Sequence, residues 1–263
     1  MALSTKGTAL ITGASSGIGA VYADRLARQG YDLILVARNR RKLNALADLL
    51  SNETGRTVEV VVADLKVKSD ILTVEDILRT DASITLLVNN AGVGGVMPLL
   101  ASPVDKMEEM ITLNVTALMR LAYAVAPGFV ARGAGTVINI SSIVAIAPEI
   151  LNGVYGGSKA FVLSLSQSMH HELADKGVRI QAVLPGATAT EFWSEAGNPV
   201  ENLPQEIVMP ADEMVDAALA GLANGEVVTI PGLHDGAQWD RHEAQRQNLS
   251  GMFGSSTAAP RYR

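Results

Sequence analysis

Seven short runs of apolar, largely β-branched residues recur along the chain: Thr8 to Thr12, Leu33 to Ala37, Val58 to Ala63, Leu86 to Asn89, Thr136 to Ile140, Ile180 to Leu184 and Val227 to Ile230. They are continuous rather than alternating, which is how parallel strands covered on both faces read. Between them lie stretches of helical period: Gly17 to Gln29, Arg40 to Leu50, Asp70 to Arg79, Val104 to Val130, Tyr155 to Ala174 and Ala211 to Ala223. Strands and helices in alternation predict an α/β fold, a doubly wound parallel sheet with helices on both faces. No linker and no fixed-period repeat interrupts the pattern, so residues 1–249 read as one domain. Ser250 to Pro260 is rich in Gly, Ser, Ala and Thr, and residues 250–263 read as a loose tail.

Composition narrows the setting. Of 263 residues 48% are hydrophobic, enough for a sizeable core. A formal net charge of −6 gives no general attraction to nucleic acid or anionic lipid. Between Arg38 and Lys42 only Asn39 is not basic, and on so acidic a chain this cluster reads as a local phosphate site. Without cysteine there is no disulfide, no thiolate nucleophile and no cysteine zinc site, as suits a reducing compartment. His171-Glu172 and His242-Glu243 begin like a zinc-hydrolase motif but lack its second histidine, so no metal is expected. No secretory signal is visible, and Arg120 and Pro127 interrupt the most membrane-like segment, Val115 to Val130. The expectation is a cytoplasmic protein with neither a membrane nor a nucleic-acid partner.

The first strand runs into Thr12-Gly13-Ala14-Ser15-Ser16-Gly17-Ile18-Gly19, and a helix follows directly. Glycines there allow positive φ and let a pyrophosphate approach the backbone, while the helix N-terminus presents free N–H groups. The same residues match a Gly-x-Ser-x-Gly nucleophile elbow, and His234 and His242 lie late enough to complete a triad. An elbow, however, follows a central strand rather than the first. The turn therefore reads as a phosphate loop, and the fold as a single Rossmann-type domain.

Further motifs follow: Asn89-Asn90-Ala91-Gly92 after the fourth strand, then Asn114, Ser142, Tyr155-Gly156-Gly157-Ser158-Lys159, and Pro185-Gly186 after the sixth. From about Leu3 to Ile230 the chain resembles the short-chain dehydrogenase/reductase family, in an NADP(H)-preferring, 3-oxoacyl-reductase-like branch. Gly157 stands where the family usually has alanine, and the C-terminus is atypical, with Pro231-Gly232-Leu233-His234-Asp235-Gly236 and a polar tail after the last strand. The resemblance implies a seven-stranded sheet in order 3-2-1-4-5-6-7 and catalytic residues Asn114, Ser142, Tyr155 and Lys159. By it Tyr155 is the general acid/base, Ser142 hydrogen-bonds the reacting oxygen, and Asn114 holds a water linking Lys159 to solvent. Tyr155 and Lys159 also lie one helical turn apart, and an ammonium beside a phenol lowers its pKa from about 10.

The resemblance further implies cofactor contacts. They come from Gly13, Ser15, Ser16, Gly17, Ile18 and Gly19 in the turn, from Asp64 and Leu65 near the adenine, and from Asn90 and Gly92 near its ribose. Tyr155 and Lys159 add to them, with Pro185, Gly186, Thr188 and Thr190 against the nicotinamide. Asp64 reads equally as a helix cap or a surface acid. The expected cofactor is NADP(H). Strand two ends Val36-Ala37-Arg38, where Ala37 cannot accept from a ribose hydroxyl and Arg38 offers a planar fork to a 2′-phosphate. Expected substrate contacts are Ser142, Val144, Leu151, Tyr155, Phe192 and Trp193.

Three segments are expected to wall the pocket: Ala91 to Leu100, Ser141 to Val154 and Ala187 to Met209. They hold no lysine or arginine, the acids Glu149, Glu191, Glu195, Glu201 and Glu206, and also Val93, Met97 and Ile146. A buried anionic substrate would want a cation, so the reading is a neutral, largely apolar carbonyl or alcohol. A carrier-bound acyl chain stays open, its charged part resting on Arg120 or Arg132. Residues 190–209 read as a lid over the substrate. Surplus apolar surface on the Val104 and Tyr155 helices predicts a homodimer or homotetramer. Two other readings stay open: a non-catalytic NADP(H)-binding regulator, and an epimerase or dehydratase using the same tyrosine.

Overall fold

In a computed structural model that describes residues 6–263, the apolar runs form β1 (Thr8–Thr12), β2 (Asp32–Ala37), β3 (Val58–Val62), β4 (Ile84–Asn89), β5 (Gly135–Ile140) and β6 (Val178–Val183). Two short strands that the apolar pattern does not show, β7 (Thr188–Ala189) and β8 (Met209–Pro210), precede the last, β9 (Val228–Thr229). The main sheet is parallel and runs β3-β2-β1-β4-β5-β6-β9, the expected order of seven. From β1 the chain builds outward to β3, then returns to place β4 on the other side of β1. That reversal leaves a crevice at the C-terminal ends of β1 and β4.

The helices are α1 (Gly17–Arg28), α2 (Arg40–Thr54), α3 (Lys68–Thr80), α4 (Val104–Ile111), α5 (Leu118–Arg132), α6 (Gly153–Leu173), α7 (Phe192–Glu195), α8 (Ala211–Ala223) and α9 (Ala237–Ser250). Strand side chains alternate between two cores. Ile11, Leu33, Leu35 and Ile138 pack with Tyr22, Leu26, Leu43 and Met214 of α1, α2 and α8. Leu10, Ile34, Leu87 and Val137 pack with Val74, Leu121, Phe129 and Met169 of α3, α5 and α6. Within the main sheet β3 departs furthest from continuous burial: it is an edge strand with no fully buried residue, and its Glu59 and Val62 stay exposed.

The long helix expected over Val104 to Val130 is a continuous helical path to Arg132, but its middle, Thr112–Ala117, is wound as a π-helix. Wide turns of this kind recur at functional sites, and Asn114 sits buried within this one. By length and composition Val104–Arg132 is apolar enough to cross a membrane. Here Leu121, Val125 and Phe129 of its second half lie in the core beneath the sheet. At α2, the Asn39 side chain accepts from the Lys42 N–H at 3.1 Å, which fixes where Lys42 stands.

The chain divides into one unit ending at Pro231 and another spanning Gly232–Arg263. In the second, α9 has no apolar stripe, so the helical period gives no sign of it. Its exposed face carries local pairs instead: Arg246 with Glu243 at 2.8 Å, Gln247 with Glu243 at 3.0 Å, and Trp239 against His242 with ring centroids 5.2 Å apart.

Candidate active site

The loops after β1 and β4 are stitched together by one threonine. Thr12 Oγ1 accepts from the N–H groups of Asn90 and Ala91, both at 3.0 Å, and Asn90 Nδ2 returns a bond to the Thr12 carbonyl at 2.9 Å. Gly13 turns between them at φ +66°, where a Cβ would stand 2.8 Å from Asn90 Nδ2. A cavity of about 1030 Å³ runs past this junction. Ser16, the N-cap of α1, makes no side-chain cap bond, so the first-turn N–H groups remain available to an anion. The Glu191 carboxylate at the cavity edge takes Lys42 Nζ at 2.7 and 2.9 Å, and that lysine holds it below the usual carboxylate range. Arg38, Arg40 and Lys42 gather at this end of the cavity, while Val93, Val144, Leu151 and Phe192 line the other. Anion-accepting donors at one end, an ammonium midway and an apolar far wall fit an extended dinucleotide with an apolar molecule beyond it.

The expected residues converge. Every expected site residue lines the cavity except Gly19 and Asn114, which lie buried behind it. Asn114 joins the loop after β4 to α6: Oδ1 accepts from Val93 N–H at 2.9 Å, and Nδ2 donates to the Val93 carbonyl at 2.8 Å and to Ser158 Oγ at 3.1 Å. Lys159 is buried, donates from Nζ to the Ile140 carbonyl at 2.9 Å, and stands 5.8 Å from the Tyr155 ring centroid. Burial lowers its pKa to about 8. Burial pushes the Tyr155 phenol up to about 12, while a hydrogen bond with Ser142 pulls the other way. The ammonium was expected to lower this pKa; in the protein itself enclosure is the larger effect.

Some expectations move. Met97 and Ile146 stand outside the cavity wall, 46% and 43% exposed, whereas Val96, Ile150, Leu203 and Ile207 of the same expected segments line it, together with Leu113 from outside them. All five acids of the wall segments are exposed, and only Glu191 and Glu195 reach the cavity edge. Arg120 pairs with Glu75 and Arg132 donates to the Ile84 carbonyl at 2.8 Å, so neither waits at the cavity for a carrier's charge. Asp64 Oδ1 accepts from Lys66 N–H at 3.0 Å, a local turn bond made alongside its place on the wall. Ser141, which opens an expected wall segment, has a role that no motif marks: its buried hydroxyl donates to the Lys159 carbonyl at 2.7 Å. Most of the segment expected to act as a lid, residues 190–209, runs between β7 and β8, which pair Thr188 with Met209 and Ala189 with Pro210.

The sequence model of the short chain dehydrogenase family matches residues 7–200. The chain belongs to that family. Among solved structures of short-chain dehydrogenases, one from Sphingobium yanoikuyae in complex with NADPH is 51% identical, with a TM-score of 0.95 over 98% of this chain and 100% of that one. A bulky-bulky ketone specific alcohol dehydrogenase from Comamonas testosteroni is 44% identical, with a TM-score of 0.90 over 97% of this chain and 98% of its own. A very-long-chain 3-oxoacyl-CoA reductase of Anas platyrhynchos is 34% identical over 191 residues, 70% of this chain. The present chain spans 60% of that reductase's length.

Proposed function

We propose that this short-chain dehydrogenase is an NADP(H)-dependent oxidoreductase that interconverts a carbonyl and a secondary alcohol on a neutral, largely apolar substrate. The observation that carries the reading is the meeting of Ser142, Tyr155 and Lys159 where the anion-accepting and apolar ends of one cavity join. When bound, the nicotinamide supplies or accepts the hydride. Tyr155 Oη gives its proton to the carbonyl oxygen in reduction and takes it back in oxidation. Ser142 Oγ hydrogen-bonds the same oxygen and holds it against Tyr155. A phenol buried with a pKa near 12 keeps its proton until an acceptor arrives. Lys159, when protonated, stabilises the phenolate left behind. Asn114 holds the loop after β4 and α6 in register around them.

Arg38 would take the 2′-phosphate as a bidentate anion, with Ser15 close by on the same wall. The NADPH complex of the Sphingobium relative supports that cofactor, and the Comamonas relative's name supports an apolar ketone. We place the protein in the cytoplasm, consistent with its lack of cysteine.

The test is NADPH consumption with a panel of ketones and aldehydes, together with cofactor titrations. Arg38→Ala should weaken NADPH binding about ten- to hundred-fold and leave NADH binding nearly unchanged. Equal losses would remove the case for NADP(H). Tight NADPH binding without turnover of any carbonyl would favour a regulator.

A further inference from the structure

Gly94 lies in the loop after β4, and Phe192 opens α7 at the start of the lid. A Cβ on Gly94 would overlap Phe192 Cζ and stand 2.9 Å from both Cε atoms. The tip of the ring therefore fills the volume that any side chain at position 94 would take. The same ring lies against Tyr155, with centroids 5.9 Å apart and planes at 46°. It also meets Trp193 edge-on, at 5.7 Å and 88°. Trp193 is itself held, because its indole N–H donates to the Thr188 carbonyl at 3.0 Å and the residue is buried. Phe192 is thus wedged between a fixed indole, the Tyr155 ring and bare backbone, and it packs with Val144 and Leu151 on the cavity wall.

We propose that Gly94 and Phe192 together set the substrate specificity of the pocket: the missing side chain of Gly94 admits the Phe192 ring, and the ring bounds the space beside Tyr155 that receives one substituent of the carbonyl carbon. This rests on the ketone-reductase reading and names the residues that decide which ketones fit. Removing the ring opens room for further methylenes. Adding a methyl at position 94 displaces a ring already bordered by Tyr155 and Trp193 and narrows the same room.

The two tryptophans allow a readout independent of turnover. In a Trp239→Phe background Trp193, beside Phe192, is the sole indole, and its fluorescence reports ketone binding. Acetophenone and valerophenone, differing only in alkyl length, are titrated by fluorescence and assayed for NADPH consumption. Phe192→Ala should raise the valerophenone-to-acetophenone ratio of kcat/KM about ten-fold, with the ratio of binding constants moving the same way. Phe192→Leu, a gentler change, should raise it partway. Gly94→Ala should lower it, and that effect should vanish in Gly94→Ala/Phe192→Ala, where no ring remains to displace. Equal effects on both ketones, or a Gly94→Ala effect that persists without Phe192, would overturn the proposal. Turnover with an unmoved ratio defeats the gate and leaves the reductase standing. A Phe192-dependent binding ratio without turnover does the reverse.

Discussion

Lys159 is an amine that the fold withholds from water, and its charge is therefore expensive at neutral pH. Its pKa falls from 10.5 to about 8 on burial, so between those values the unfolded chain holds more protons than the folded one. Below about pH 8 both states are charged and the folded state bears the whole desolvation cost; as pH rises to 10.5 the cost is lifted. Relative to Lys159→Met, the cofactor-free wild type should gain melting temperature between about pH 7 and about pH 9.5, followed by calorimetry. That range stays below 10.0, the ordinary phenol value above which the raised pKa of Tyr155 begins to withdraw stability. Identical pH dependence in the two proteins would show that Lys159 is not a buried cation. Tyr155→Phe removes a hydroxyl and almost no volume. It should abolish turnover while cofactor affinity stays within about two-fold of wild type, and substantial residual turnover would overturn the assigned proton donor.

Among elements, the relation that matters is between β5, which ends beside Ser142, and α6, which carries Tyr155 and Lys159. Buried polar side chains rivet them. Ser141 Oγ donates to the Lys159 carbonyl at 2.7 Å, Asn139 Nδ2 donates to Ser166 Oγ at 3.0 Å, and Asn89 Nδ2 donates to Asn139 Oδ1 at 3.0 Å, which brings in β4. Apolar packing alone tolerates sliding of a helix on a sheet; directional bonds in a dry interior do not. Ser141→Ala should therefore let Ser142 and Tyr155 drift apart and lower kcat on the order of ten-fold with NADPH affinity unchanged. Steady-state kinetics and a cofactor titration decide it: a loss confined to NADPH affinity would count against the rivet.

At the scale of the molecule, the apolar surplus expected on the two long helices is smaller than it reads. Ala122, Val125, Phe129 and Leu163 are already spent inside the fold; Tyr123, at 68% exposure, stays outside with Val104 and Ile111, and Phe161 and Leu165 are partly covered. We propose that this remaining face still joins a second copy in a homodimer or homotetramer. Light scattering at about 10 µM should show at least a dimer, and Tyr123→Glu should shift it toward monomer. A monomeric wild type would dismiss the interface.

Chain order, the alternation of strand and helix, the phosphate turn and the Tyr155–Lys159 pair are all legible without a structure, because each depends on residues near one another in the chain. A continuous apolar run needs cover on two faces, and two residues four apart share a helix face whatever surrounds them. The half-covered edge at β3, the π turn around Asn114, the pairing of β7 with β8 and the hydrogen bond from Ser141 to Lys159 belong to another class. They depend on which distant segments meet, and no local period encodes that. The rise in the Tyr155 pKa has the same origin: the Tyr155-x-x-x-Lys159 spacing sets the ammonium near the phenol, but how far water is excluded from both emerges only when loops from β4, β5 and β7 close around them. Phe192 is an expected substrate contact, but Gly94 lies far from it in the chain with nothing local to mark it, and only packing turns an absent side chain in one loop into the seat of a ring from another.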